Sequence, residues 1–153
     1  MNMKINNNIM RKLIIAVLFA VVSINNVHAQ DNNTFWLGAD ISGTTQLESN
    51  GEKLYNAKGE IRENTALMKE LGLNAIRLRV WVNPRGGWSG AEDVLEMAKR
   101  AKYYDMAVMI DFHYSDWWAD PGKQHIPAAW QYMSYDEMKN ALSEHTQDVL
   151  SLL

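Results

Sequence analysis

The sequence predicts an α/β fold in which about three strand-helix units form part of a closed parallel barrel. Three observations carry this. From Trp36 onward, apolar runs with strand character alternate with stretches of helical period. The alternation recurs roughly every 35 residues, the spacing of units whose strands lie parallel and are joined by right-handed crossovers. The middle strand carries guanidinium groups on one face and branched aliphatics on the other.

The elements follow in order. "NTFWLGADIS" reads as a first strand, and "LESNGEKLYNAKGE" as an excursion punctuated by Gly and Asn that suits a small hairpin. "IRENTALMKELG" is expected to be a helix, with Ile61, Leu67, Met68 and Leu71 toward one side and Gly72 as its stop signal. "LNAIRLRVWVNP" is the second strand, closed by Pro84, and "RGGWSG" its loop. "AEDVLEMAKRAKYYD" is a second helix through Val94, Leu95, Ala98 and Ala101, acidic early and basic late as the helix dipole favours. "MAVMIDFHYSD" is the third strand. After a long loop, Ser134 and Glu137 form a capping box for a last helix with an apolar stripe of Met138, Leu142, Val149 and Leu152.

The second strand separates an open doubly wound sheet from a barrel. Side chains alternate across a strand, so Ile76, Leu78, Val80 and Val82 share one face, and Arg77, Arg79 and Trp81 the other. An open sheet covered by helices needs apolar residues on both faces. Two guanidinium groups under a helix would cost several kcal/mol in desolvation. They suit the polar lumen of a barrel. The third strand repeats the pattern, with Val108, Ile110, Phe112 and Tyr114 opposite Asp111 and His113, and in the first strand Asp40 and Ser42 alternate with Ala39 and Ile41. Acids and bases on the inner face can satisfy each other by charge-assisted hydrogen bonds.

Residues 1–29 are expected to be a signal peptide, leaving 30–153 as the barrel portion. Lys4, Arg11 and Lys12 precede the apolar "LIIAVLFAVVSI", and "VHA" before Gln30 provides the small residues that a signal peptidase reads, placing cleavage near Ala29-Gln30. Twelve residues fall short of the roughly 20 that span a bilayer, so no stable membrane anchor is expected, and the protein is expected to be secreted or periplasmic. Cleavage would remove three cations and no anions, leaving 12 Lys and Arg against 18 Asp and Glu. That balance disfavours nucleic acid as a partner. The absence of Cys excludes disulfides, thiolate nucleophiles and Cys-based zinc sites. Six Trp and six Tyr offer flat faces suited to pyranose rings as well as to a core.

The segments "GADIS", "GLNAIRLRVWVNP", "LEMAKRAK" and "DFHYSDWWADPGKQ", in that order, resemble glycoside hydrolase family 53, the arabinogalactan endo-β-1,4-galactanases. The resemblance implies a (β/α)₈ TIM barrel, of which about three units are present here. It also implies retaining hydrolysis of the β-1,4-galactan side chains of pectin or arabinogalactan. Retention uses two carboxyl groups about 5–5.5 Å apart. In the family these are glutamates after the fourth and seventh strands, the first in an Asn-Glu pair. No such pair occurs in this sequence. The chain is therefore expected to be an N-terminal piece ending before both catalytic glutamates, and inactive by itself.

The resemblance carries over a supporting shell. Arg77 matches the arginine that holds the nucleophile ionised, and His113 the histidine that orients the site, with Arg79 and Asp111 beside them. Asp40, Trp81, Asp116, Trp118 and Asp120 are the expected substrate-binding residues, and Trp118 is preferred to Trp117 because it stands directly before "ADP". Active sites of such barrels lie at the carboxyl ends of the strands, where these residues fall. No cofactor and no metal are expected. Asp111, His113, Asp116 and His125 match no compact ligand motif, and neither a "G-x-S-x-G" turn nor a phosphate-loop Lys is present. The expected partner is galactan polysaccharide, with the complete protein a monomer. Two other readings remain: a non-catalytic galactan-binding module, and a related retaining β-glycosidase of mannanase or cellulase type.

Overall fold

The structure, a computed structural model, describes residues 35–153, and the expected signal peptide lies outside the described residues. Residues Trp36–Leu153 make one unit. Its elements are β1 (Gly38–Asp40), α1 (Thr44–Ser49), β2 (Leu54–Tyr55), β3 (Ile61–Arg62), α2 (Asn64–Glu70), β4 (Ala75–Val80), α3 (Ala91–Tyr103), β5 (Ala107–Phe112) and α4 (Tyr135–Leu152). β1, β4 and β5 form a parallel sheet in that order, with Asp40 opposite Arg77 and Arg79 opposite Asp111. β2 and β3 form the separate antiparallel hairpin.

The period-two reading of β4 holds. Ile76, Leu78 and Val80 are at most 1 % exposed, while Ala75, Arg77 and Arg79 between them are half-buried. The buried face packs with Val94, Met97 and Ala101 of α3, Val149 of α4, and Ile41 and Met106. Full burial of each such aliphatic side chain contributes about 1.5–3 kcal/mol, so this face fixes the strand's register. A one-residue slip would move Arg77 and Arg79 into that core. Gly38 permits the close approach of β1 to β4, because a Cβ there would stand 2.9 Å from the Ala75 carbonyl oxygen.

Two local expectations are corrected. The helix expected from Ile61 starts only at Asn64. Ile61 and Arg62 pair with Tyr55 and Leu54, and the Glu63 carboxylate caps the helix by accepting from the Thr65 and Ala66 amides at 3.0 and 2.9 Å. Of the residues expected along one side of that helix, Ile61 and Leu71 are 55 % and 64 % exposed. Gly72 does end the segment, at φ 89°, a conformation that L side chains resist. The short α1 was not anticipated. The last helix begins as expected: the Glu137 carboxylate accepts from the Ser134 amide at 2.7 Å, and the Ser134 hydroxyl accepts from the Glu137 amide.

Candidate active site

The inner face of the sheet, opposite the helices, carries a connected polar set near the carboxyl ends of the strands. At its centre Arg77 donates through Nη1 to Asp40 Oδ2 at 2.6 Å and through Nη2 to Asp111 Oδ2. One guanidinium thereby links β1 to β5 across β4. Its planar fork suits two carboxylates held at fixed positions, which a lysine ammonium could not match. Arg79 Nη1 stands 3.7 Å from the same Asp40 oxygen.

Asp40 is anchored from behind by Ser42. The Ser42 amide and hydroxyl donate to Asp40 Oδ1 at 3.0 and 2.6 Å, and the hydroxyl accepts from the Arg79 amide at 2.8 Å. Burial pushes the Asp40 pKa up, but the two Ser42 hydrogen bonds, then Arg79 and Arg77, outweigh it and hold the carboxyl below its ordinary value. Ser42 was read in the sequence only as an inward-facing residue. Its Asp-x-Ser spacing is that of a local turn in which a carboxylate accepts from the amide two residues on, and this signal was available.

His113 is fixed by donors of known type. Its Nδ1 faces Trp81 Nε1 and the Ala119 amide, each at 3.4 Å, and both groups can only donate. Nδ1 is therefore the acceptor and Nε2 carries the proton, which it donates to Asp111 Oδ2 at 2.8 Å. Asp111 thus receives both Arg77 and His113 on one oxygen. With both ring nitrogens engaged, His113 acts on its surroundings through Asp111.

The aromatic side of the set is built on Arg79. Its guanidinium carbon lies over Trp118 at 5.0 Å and over Trp81 at 5.6 Å from the ring centroids. Trp118 also meets the His113 ring edge-on and donates from Nε1 to Asp120 Oδ2 at 3.1 Å, while Asp120 Oδ1 accepts from the Gly122 amide at 2.8 Å. The structure therefore brings Asp40, Arg77, Arg79, Trp81, Asp111, His113, Trp118 and Asp120 into one constellation. Asp116 does different work. Its oxygens accept from the Asn83 and Ala128 amides at 3.0 and 2.9 Å, tying the loop after β4 to the loop after β5. Trp117, left aside in the sequence, is 59 % exposed and meets His125 edge-on.

A cavity of about 460 Å³ beneath the loop after β5 adjoins this set through His113 and Asp120, with Phe112, Tyr114, Trp130 and Met138 among its lining. Beside it His145 lies edge-on to Phe112, Tyr114 and Trp130, and its Nε2 has no hydrogen-bond partner among the described residues. Burial pushes the His145 pKa down, against the opposing effect of Asp148.

Chemically, the constellation offers fixed cations, anchored carboxylates and indole faces in one place. Such an arrangement can bind polyhydroxylated rings by bidentate hydrogen bonds and stacking, and can hold a further carboxylate ionised beside Arg77. The comparisons point the same way. The model of glycosyl hydrolase family 53 matches residues 36–153. The endo-beta-1,4-galactanase of Bacillus subtilis is 38 % identical over 127 residues, covering 78 % of this chain and 30 % of that protein. The arabinogalactan endo-beta-1,4-galactanase of Cellvibrio japonicus is 36 % identical over 145 residues, covering 94 % and 38 %. Among solved structures, the family 53 catalytic domain from Ignisphaera aggregans superposes with a TM-score of 0.72 at 39 % identity, covering 76 % of this chain and 35 % of that one. A fungal beta-1,4-galactanase superposes with a TM-score of 0.70 at 37 % identity, covering 74 % and 34 %. The chain spans about a third of the length of these relatives. The α/β fold with three strand-helix units of a (β/α)₈ TIM barrel is thus the architecture of its neighbours, and the chain belongs to glycosyl hydrolase family 53.

Proposed function

We propose that this chain supplies one wall of the active site of a retaining endo-β-1,4-galactanase acting on the galactan side chains of pectin or arabinogalactan. The observation that carries the reading is the Arg77 guanidinium shared between Asp40, at the carboxyl end of β1, and Asp111, one residue from that of β5, the side on which barrel enzymes of this class do their chemistry. In this reading Arg77 keeps a neighbouring nucleophilic glutamate ionised, and His113 acts on the same region through Asp111. Asp40, Trp81, Trp118 and Asp120 face the sugar, and Asp116 holds the loop that presents them. The acid/base and nucleophilic carboxylates of such a barrel belong to its fourth and seventh strands. The protein acts as an exported monomer after cleavage at Ala29-Gln30.

Reducing-sugar release by the intact protein tests this, with β-1,4-galactan, β-mannan and carboxymethylcellulose compared side by side. Selective release from galactan is expected. Equal or better release from mannan or cellulose would overturn the substrate assignment, and binding of galactan without hydrolysis would favour the non-catalytic module. N-terminal sequencing of the exported protein should begin at Gln30.

A further inference from the structure

Trp118 has two faces and an edge, and the chain itself occupies most of them. Its Nε1 is held by Asp120, and His113 meets the ring at a centroid distance of 5.8 Å and an interplanar angle of 73°. Arg79 lies over the indole, yet the residue as a whole remains 48 % exposed. Part of the indole therefore stays open to solvent while Arg79 lies over the ring.

Arg79 is placed for this contact more than for hydrogen bonding. Its only ion-pair partner among the described residues, Asp40, is at 3.7 Å, whereas Arg77 makes the short bond to the same oxygen. Its Nε is closed off from solvent and has no hydrogen-bond partner among the described residues, so a sugar hydroxyl cannot reach it. What the side chain does have is two indoles. A guanidinium is planar and weakly hydrated, which makes it the cation that stacks best on aromatic faces. The Arg79 backbone is pinned as well, its amide bound to the Ser42 hydroxyl that also anchors Asp40.

We propose that Arg79 is a positioning residue for the sugar platform: by covering one face of Trp118 and bracing it against Trp81, it leaves the opposite face as the one on which a galactosyl ring stacks. This rests on the reading of the site as a galactan site and adds how its stacking surface is set. Arg79 touches no reacting atom in this account. It acts through the orientation of the indole, so its loss should weaken saccharide binding more than it slows bound substrate.

The test is calorimetric titration of the intact protein with β-1,4-galactotetraose, comparing wild type, Trp118→Phe, Arg79→Met, Arg79→Gln, Arg79→Lys and the double variant Arg79→Met with Trp118→Phe. Arg79→Gln, planar and uncharged, serves if Arg79→Met fails to fold. The expected result is about a tenfold loss of affinity on removing the cation, within the range for a partly desolvated contact of this kind. Arg79→Lys should lose less, and the double variant should bind no more weakly than Trp118→Phe alone. Steady-state kinetics on galactan should show the loss in KM rather than kcat. If Trp118→Phe binds weakly while both uncharged Arg79 variants bind like wild type, the role of Arg79 is overturned and the galactan site stands. Additive losses in the double variant would overturn it too. If wild type does not bind the tetrasaccharide, both readings fall together.

Discussion

Among the arginines of the described residues that join carboxylates, Arg77 and Arg100 do so in opposite ways. Arg77, on the inner face of the sheet, joins Asp40 and Asp111, with a second cation and two indoles alongside. Arg100, on α3, gathers three glutamates: Glu48 at 2.9 Å, Glu63 at 3.2 Å and Glu96 at 3.1 Å. In the second cluster Glu63 also caps α2, so the arginine ties α1, the start of α2 and α3 into one outer layer. Three anions share the Nη1 and Nε of one cation there, and no aromatic ring is stacked on that guanidinium among the described residues. In the first cluster the anions and cations balance, aromatic faces stand exposed, and the groups converge at strand ends. The same ion-pair chemistry makes a brace in one place and, in the function proposed above, a binding surface in the other, and the surroundings decide which.

Substituting each arginine should separate the two roles. Arg77→Met is expected to lower kcat/KM of the intact protein on galactan by on the order of 100-fold, the equivalent of about two pKa units on a neighbouring carboxylate, while thermal stability changes little. Water can replace the lost donors because the Arg77 side chain is 37 % exposed. A large fall in melting temperature with undiminished activity would erase the distinction. Arg100→Met should do the reverse. It is expected to cost about 2 kcal/mol of stability, the scale of losing charge-assisted hydrogen bonds, with the activity of the folded fraction unchanged. Urea unfolding of both variants provides the comparison.

Acidification sharpens the contrast. Burial pushes Glu63 up, but the Thr65 and Ala66 amides, then the Thr65 hydroxyl and Arg100, more than offset it and hold its pKa below 4.5 in the folded state. A depressed folded pKa contributes stability above the unfolded value, and that stability is lost as pH falls through the folded one. The wild-type urea midpoint should therefore drop below about pH 4.5. Glu63→Gln should start about 1 kcal/mol less stable, the value of a cap, and show a shallower acid slope. The smallest effect concerns His145, whose folded pKa lies below 6.5 because of burial. Its neutral form is favoured in the folded state, so stability is full above pH 6.5 and declines as pH falls below it. His145→Phe should remove that slope without altering the acid limb due to Glu63.

The inner cluster was largely legible in the sequence and the outer one was not. Arg77 and Arg79 on β4, and Asp111 on β5 with His113 one residue past its end, fall on alternate positions, and a period of two assigns a face without knowledge of the rest of the fold. The parallel layout followed from the same periods. Arg100, by contrast, collects Glu48 and Glu63 from 52 and 37 residues away, and only its i,i+4 partner Glu96 shares a local pattern with it. The early end assigned to α2 failed for a related reason. Ile61 fits a helical period, but its pairing with Tyr55 and the Glu63 cap are tertiary and local choices that periodicity does not weigh. Asp116 carries the motif's acid, yet its partners, the Asn83 and Ala128 amides, become visible only once two loops meet.

The central claim is that the Arg77-Asp40-Asp111 set and the Trp118 face form the saccharide site. A crystal structure of the intact protein with β-1,4-galactotetraose tests it most directly. The account predicts a galactosyl ring on the exposed face of Trp118 and the chain running across the carboxyl ends of β1, β4 and β5, with Arg77 still bridging both aspartates. A saccharide bound elsewhere, with this inner face left to solvent, would contradict it.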